Sequence, residues 1–305
     1  MIKIKCLLLL CILMSFYFSQ DTTITSSKRP QPFDLKKGLN LDVQGLIPNF
    51  DNDSFSKPLS QLEIETIIEN AKKWNVEPVT KDDIVIMETT MGHMKIKLFP
   101  DIAPLHAENF KRLANSGYYD GTTFHRIIPG FMIQGGDILS RDENDDNDGY
   151  GGPGWTVNAE FNDKSHQHGI LSMARASDPN SAGSQFFICV ADASHLDEKY
   201  TVFGEVVENV QVIDKIVTSA TDYDMAKAYC KKKIPEGENL EKWIELQDIR
   251  IKGEVLYAKI PSNETRSSYT ASMKKQLESN KPVMPIRMKK VRVVNKNTLN
   301  EKKIP

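Results

Sequence analysis

Gly149, Gly151 and Gly154 repeat the G-x-G-x-x-G spacing of a dinucleotide-binding loop. Such a loop must follow a strand and open a helix, so that main-chain N–H groups can cradle a pyrophosphate. Here it follows the acidic run DENDDND, and Pro153 leads into a strand-like stretch, so no nucleotide cofactor is expected. The acidic run matches the start of an EF-hand loop from Asn144 through Asp146, Asp148 and Gly149. Trp155 then stands at position twelve, where a bidentate Glu is required. A solvated acidic insertion is expected. His166 and His168 would share one face of a strand, but no third ligand is nearby, so they read as surface histidines and no metal is expected. Spacing alone singles out no further residue for chemistry, and a lone Arg on a strand reads as a solvated side chain.

The elements around these residues are short strands. IVIMETT and HMKIKLF alternate in the period of half-buried strands, with Met91-Gly92 as the turn. Asp101 to Ser116 predicts a helix with Leu105, Phe110, Leu113 and Ala114 on one side, ended by Gly117. The runs TTFHRII, GFMIQGG, GILSMA, SQFFICV and TVFGEVV follow, separated by glycines. Val210 to Val217 reads as a second helix, and DIRIKGEVLY from Asp248 as a closing strand. Many short strands with few helices predict a closed antiparallel barrel or a sandwich.

The chain has 305 residues, with 39 Lys/Arg against 41 Asp/Glu, which gives no whole-chain case for nucleic acid. The charge is uneven: residues 261 to 305 hold 11 Lys/Arg and 3 Glu. This segment reads as a disordered basic tail, with anionic lipid, nucleic acid or an acidic client as candidate partners. Met1 to Gln20 reads as a signal peptide. Lys3 and Lys5 precede a 13-residue apolar stretch, Cys6 to Phe18. That stretch spans about 20 Å as a helix, short of the roughly 30 Å of a bilayer core. The protein is therefore expected to be exported, periplasmic or secreted, or membrane-tethered if the signal is not cleaved. Residues 21–80 read as a linker with a short helix from Ser60, where Ser60 and Glu63 form a capping box and Ile64, Ile67, Ile68 and Ala71 share a face. With Cys6 and Cys11 in the signal segment, Cys189 and Cys230 do not suggest a disulfide framework.

FHRIIPGFMIQGGD from Phe124, GILSMARA from Gly169, GSQFFICV from Gly183 and HLDEKYTVFGEVV from His195 resemble the cyclophilins, peptidyl-prolyl cis-trans isomerases. GGPGWTVNAEF from Gly151 resembles a bacterial-type variant. The resemblance covers about Ile84 to Val217 and implies a mainly β fold, a closed eight-stranded antiparallel barrel capped by two α-helices. The isomerase domain is then 81–260, with an insertion at about 221–245, and a monomer is expected. The implied activity is rotation about Xaa-Pro bonds in proline-containing polypeptides, assisting the folding of exported proteins. A non-catalytic proline-loop binding module on the same barrel is the alternative.

The resemblance also assigns the site. Arg126 is the implied catalytic residue, with Gln134. Phe131, Met132, Phe187 and Leu196 form the implied proline slot, Gln185 grips substrate backbone, and Ala174 and Arg175 supply a main-chain contact. His195 and Tyr200 complete the substrate site but depart from the pattern: many eukaryotic members have Trp at the first position and His at the second. His195 removes an indole donor and apolar area, so isomerase activity is expected to persist with weakened cyclosporin binding. Arg175 stands where the best-known members have Asn. Rotation breaks no covalent bond, so no cofactor is expected.

Overall fold

A computed structural model of the chain describes residue 55 and residues 57–297. The signal segment and most of the linker lie outside the described residues. The chain divides into two compact units, one running to Ser219 and resuming at Met284, the other Ala220–Val283.

In the first unit, α1 (Gln61–Lys73) begins with the expected capping box. The Ser60 hydroxyl accepts the Glu63 N–H, and the Glu63 carboxylate accepts the Ser60 N–H. Ile64 and Ala71 are buried in the main core, with Ile67 and Ile68 packed against it. Strands β1 (Asp83–Thr89) and β2 (Gly92–Leu98) form the expected hairpin. They are followed by α2 (Pro104–Asn115), β3 (Arg126–Ile128), β4 (Met132–Gly135), β5 (Ile170–Met173), β6 (Phe186–Cys189), β7 (Val202–Glu208) and α3 (Gln211–Val217). The inserted unit then contributes α4 (Asp222–Tyr229), β8 (Trp243–Gln247), β9 (Val255–Lys259) and α5 (Arg266–Glu278), after which the chain ends its described part in β10 (Met288–Asn295).

Eight strands make one antiparallel sheet in the order β10-β1-β2-β7-β5-β6-β4-β3. Its edges meet just before β3 rather than along it. Thr123 bridges Arg287, the Phe124 N–H donates to the Ile286 carbonyl, and the Met288 N–H donates to the Thr122 carbonyl. The closure expected from the resemblance is therefore a short join at one end. The two expected helices pack on the sheet, α2 against β10 and β7 and α3 against β2, β3 and β4. Leu105 is a correction: it is 51% exposed, because the buried arc of α2 runs through His106, Phe110, Leu113 and Ala114. Inside the sheet, Phe110 meets the edge of Phe186 at 5.5 Å and lies 5.1 Å from Tyr119, giving an aromatic centre beneath α2.

The eighth strand is not the one expected. Asp248 follows β8, which pairs only with β9 in a separate two-stranded sheet. The place beside β1 is taken by β10, inside the segment read as a disordered tail. Met288, Val291 and Val293 are buried there, and Arg292 forms an ion pair with Asp120 at 2.6 Å. A bulge explains why this strand reads poorly. Glu88 pairs with Lys290 and Thr89 with Met288, so Lys289 is an extra residue that breaks the alternation.

The inserted unit is longer than the expected 221–245. Its ends are held together: the Asp222 N–H donates to the Lys281 carbonyl, and the Val283 N–H to the Ala220 carbonyl. Tyr223, Ala226, Ile244, Leu246, Leu256, Ala258, Met273 and Leu277 form its own core. Cys189 and Cys230 are both free thiols.

Candidate active site

Strand alternation places the candidate residues on one face of the sheet. Ile127, Ile133, Phe186 and Ile188 are fully buried toward the core. Their neighbours Arg126, Gln134 and Phe187 therefore face outward. In register, Arg126 pairs with Gln134, and Gln134 with Phe187.

The expected slot residues assemble into a cluster separate from the main core. Met132, Phe187, Cys189, Ala193 and Leu196 are buried, with Ile128, Phe131, Ala174 and Tyr200 partly buried against them. Phe131 lies 5.5 Å from the His195 ring, and Tyr200 meets the edge of Phe187 at 5.9 Å. Burial pushes the Cys189 thiol up to about 12, so it is an apolar wall rather than a nucleophile.

Beside the slot runs a chain of polar groups. Arg126 Nη1 donates to Gln134 Oε1 at 3.1 Å, and Gln134 Nε2 donates to Gln185 Oε1 at 3.0 Å. Gln185 Nε2 donates to the carbonyls of Gly149 and Gly151 at 2.8 and 2.9 Å. Each amide accepts on one side and donates on the other, which fixes its orientation. Arg126 is exposed by area, yet its surroundings partly desolvate the head group and lower its pKa below the ordinary value, with Tyr200 opposing. It remains a cation at neutral pH.

Asp137 is the functional residue that the sequence reading missed. Its carboxylate is fully buried and accepts N–H groups from Leu139 at 2.8 Å, from Gly151 at 3.2 Å and from Gly149. Burial raises its pKa, and these three donors pull it back. Asp137 thus fixes the N–H groups of the same loop whose carbonyls hold Gln185. A Cβ on Gly151 would stand 1.9 Å from Asp137 Oδ1, and Gly149 has φ +92°. The glycine spacing serves this close approach. An Asp directly after QGG, followed by a glycine-rich loop able to surround a buried carboxylate with N–H groups, was the available signal.

One reading changes and two are narrowed. Arg175 spends its guanidinium on its own surroundings, donating to the carbonyls of Ala176, Ser177 and Lys199 and lying 4.5 Å over the Tyr200 ring. The Ala174 N–H is engaged by the Gln185 carbonyl, so a substrate contact here must use another main-chain group. His166 and His168 do not share a face: His168 is exposed and lies 2.9 Å from Asp214, whereas His166 is 1% exposed.

An outward apolar slot beside a tethered guanidinium, on a curled antiparallel sheet, defines a site suited to an extended polypeptide with an apolar side chain. Residues 84–235 match the family described as cyclophilin type peptidyl-prolyl cis-trans isomerase/CLD. A peptidyl-prolyl cis-trans isomerase of Synechococcus elongatus is 42% identical over 139 residues, 46% of this chain and 89% of the relative. One from Arabidopsis thaliana is 47% identical over 135 residues, 43% of this chain and 79% of its own. The chain belongs to the cyclophilin-type peptidyl-prolyl cis-trans isomerases. A crystal structure of a Cryptosporidium parvum member, in the presence of the dipeptide Ala-Pro, aligns with 69% of this chain and 98% of its own. Its TM-score is 0.47, at 26% identity.

Proposed function

We propose that this isomerase turns Xaa-Pro bonds in exported polypeptides, using Arg126 as its catalytic group and Phe131, Met132, Phe187 and Leu196 as its proline slot. An ordinary peptide bond resists rotation by about 18–20 kcal/mol, because the nitrogen lone pair is delocalised into the carbonyl. Xaa-Pro bonds still exchange only over roughly tens to hundreds of seconds. A guanidinium N–H directed at the prolyl nitrogen favours the twisted state, in which the lone pair is localised, over either planar state. Gln134 aims that guanidinium, and Gln185 holds Gln134 in turn. The slot retains the pyrrolidine ring while the carbonyl side swings.

The observation that carries this reading is the cross-strand register, which sets Arg126 opposite Gln134 and Gln134 opposite Phe187. The test is cis-trans exchange of a short Xaa-Pro peptide with the full chain. Acceleration above the uncatalysed rate is expected. Peptide binding without acceleration would instead identify a proline-loop binding module.

Export rests on the composition of Met1 to Gln20. Cell fractionation and N-terminal sequencing of the mature protein test it, and a cytoplasmic protein retaining Met1 would refute it. The same preparation is expected to run as a monomer on gel filtration.

A further inference from the structure

We propose that His166 is a positioning residue of the proline slot, acting through the turn that carries His195 and Leu196. This rests on the slot being the place where the proline ring binds. The turn is a single 3-10 turn, Ser194–Leu196, flanked by Ala193 and Asp197. His166 holds both of its ends. The His166 carbonyl accepts the Ala193 N–H at 2.8 Å, and the His166 N–H donates to Asp197 Oδ1 at 2.8 Å. Nδ1 of the ring lies 2.8 Å from the same carboxylate oxygen. An ionised carboxylate only accepts, so Nδ1 carries the proton. Nε2 lies 3.0 Å from the buried Ser172 hydroxyl on β5. The ring itself stacks on Phe187, with centroids 6.0 Å apart and planes at 14°.

One buried side chain therefore fixes the back of Phe187 and also the turn that supplies Leu196. A ring needed only to fill space would require neither ring-nitrogen contact, and a phenylalanine, which keeps both main-chain bonds, would serve. The ring nitrogens instead tie the turn that forms the slot's wall to Ser172 on β5, which pairs with Phe187 on the slot's floor. Binding of an apolar ring depends on the spacing of those two surfaces.

The test uses the full chain with His166→Phe, which keeps a ring against Phe187 and the main-chain bonds but no ring nitrogen for Asp197 or Ser172, and His166→Asn, which keeps a side-chain donor but no ring. Affinity for a short Xaa-Pro peptide, KM, kcat and Tm are measured together. Both variants are expected to raise the peptide Kd and KM by about fivefold or more, with kcat falling less than KM rises, as loss of uniform binding requires. A folded variant whose Kd and KM match the wild type would overturn the proposal. If neither variant folds, the wild type still decides. Saturation with peptide is expected to shift the His166 Nδ1–H proton resonance, and an unmoved resonance would overturn the proposal. Wild-type binding without catalysis would refute the proposed function and leave this inference standing on Kd. Unaltered variant affinities with catalysis intact would refute this inference alone.

Discussion

Arg126 and Gln134 face each other across the β3–β4 ladder, and the guanidinium of the first donates to the amide oxygen of the second at 3.1 Å. Gln134 passes the constraint to Gln185, and Gln185 to a loop held by the buried carboxylate of Asp137. The candidate catalytic cation is exposed, yet its direction is set by groups that are not.

Gln185→Ala removes the link between that loop and Gln134. A net hydrogen bond contributes about 1 kcal/mol to folding, so losing these contacts is expected to lower Tm by several degrees, and releasing Gln134 to lower kcat/KM about tenfold at matched folded concentration. Steady-state isomerase assays with a thermal melt check this. An unchanged kcat/KM would show that Arg126 needs no such support.

Stability should fall on mild acidification. Glu160 accepts the Leu105 N–H at 3.0 Å and the His106 N–H at 2.9 Å, and it lies 2.7 Å from His106 Nδ1. Burial lowers the His106 pKa below its ordinary 6.5, with Glu160 opposing. The unfolded chain then binds more protons between the folded value and 6.5. Stability is therefore present above 6.5 and lost as pH falls through that window. Denaturant melts from pH 7.5 downward are expected to show this loss, and His106→Gln to flatten it. Because His166 is lowered by burial in the same sense, the flattening is partial.

Deleting residues 284–305 should unfold the first unit rather than trim a tail. Met288 and Val291 are fully buried in β10, and Val293 is 5% exposed. Each such side chain contributes about 1.5–3 kcal/mol, against a net stability of roughly 5–15 kcal/mol. Loss of the cooperative transition is expected, and a truncated protein that melts like the full chain would contradict the placement of β10.

Cyclosporin should inhibit weakly. His195 lies 5.5 Å from Phe131 and is exposed, at the position where the resemblance implies an indole in many eukaryotic members. Titration against the isomerase assay is expected to give weak inhibition, strengthened in His195→Trp. Tight inhibition of the wild type would count against the role given to His195.

The slot residues were named through the resemblance of FHRIIPGF and GSQFFICV to the family, and the structure gathers them on β3, β4, β6 and the following turn; alternation alone did not separate slot from core. The end of the fold was not legible. An inserted unit with its own core separates α3 from β10, and its hairpin, DIRIKGEVLY included, offered a false closing strand. Lysines and a bulge then concealed the real one. Asp137 was missed, and His166 read as a surface residue, for a related reason. Their partners are main-chain N–H groups and residues up to 31 positions away, and sequence spacing carries neither.

In the proposed mechanism one guanidinium eases the twist of a prolyl bond. Its most direct test compares cis-trans exchange of an Xaa-Pro peptide with wild type, Arg126→Ala and Arg126→Lys, at matched folded concentration. Arg126→Ala is expected to lose about 10²–10³ in kcat/KM, the range for removing a transition-state donor, and Lys to restore only part of it. Equal acceleration by wild type and Arg126→Ala would contradict it.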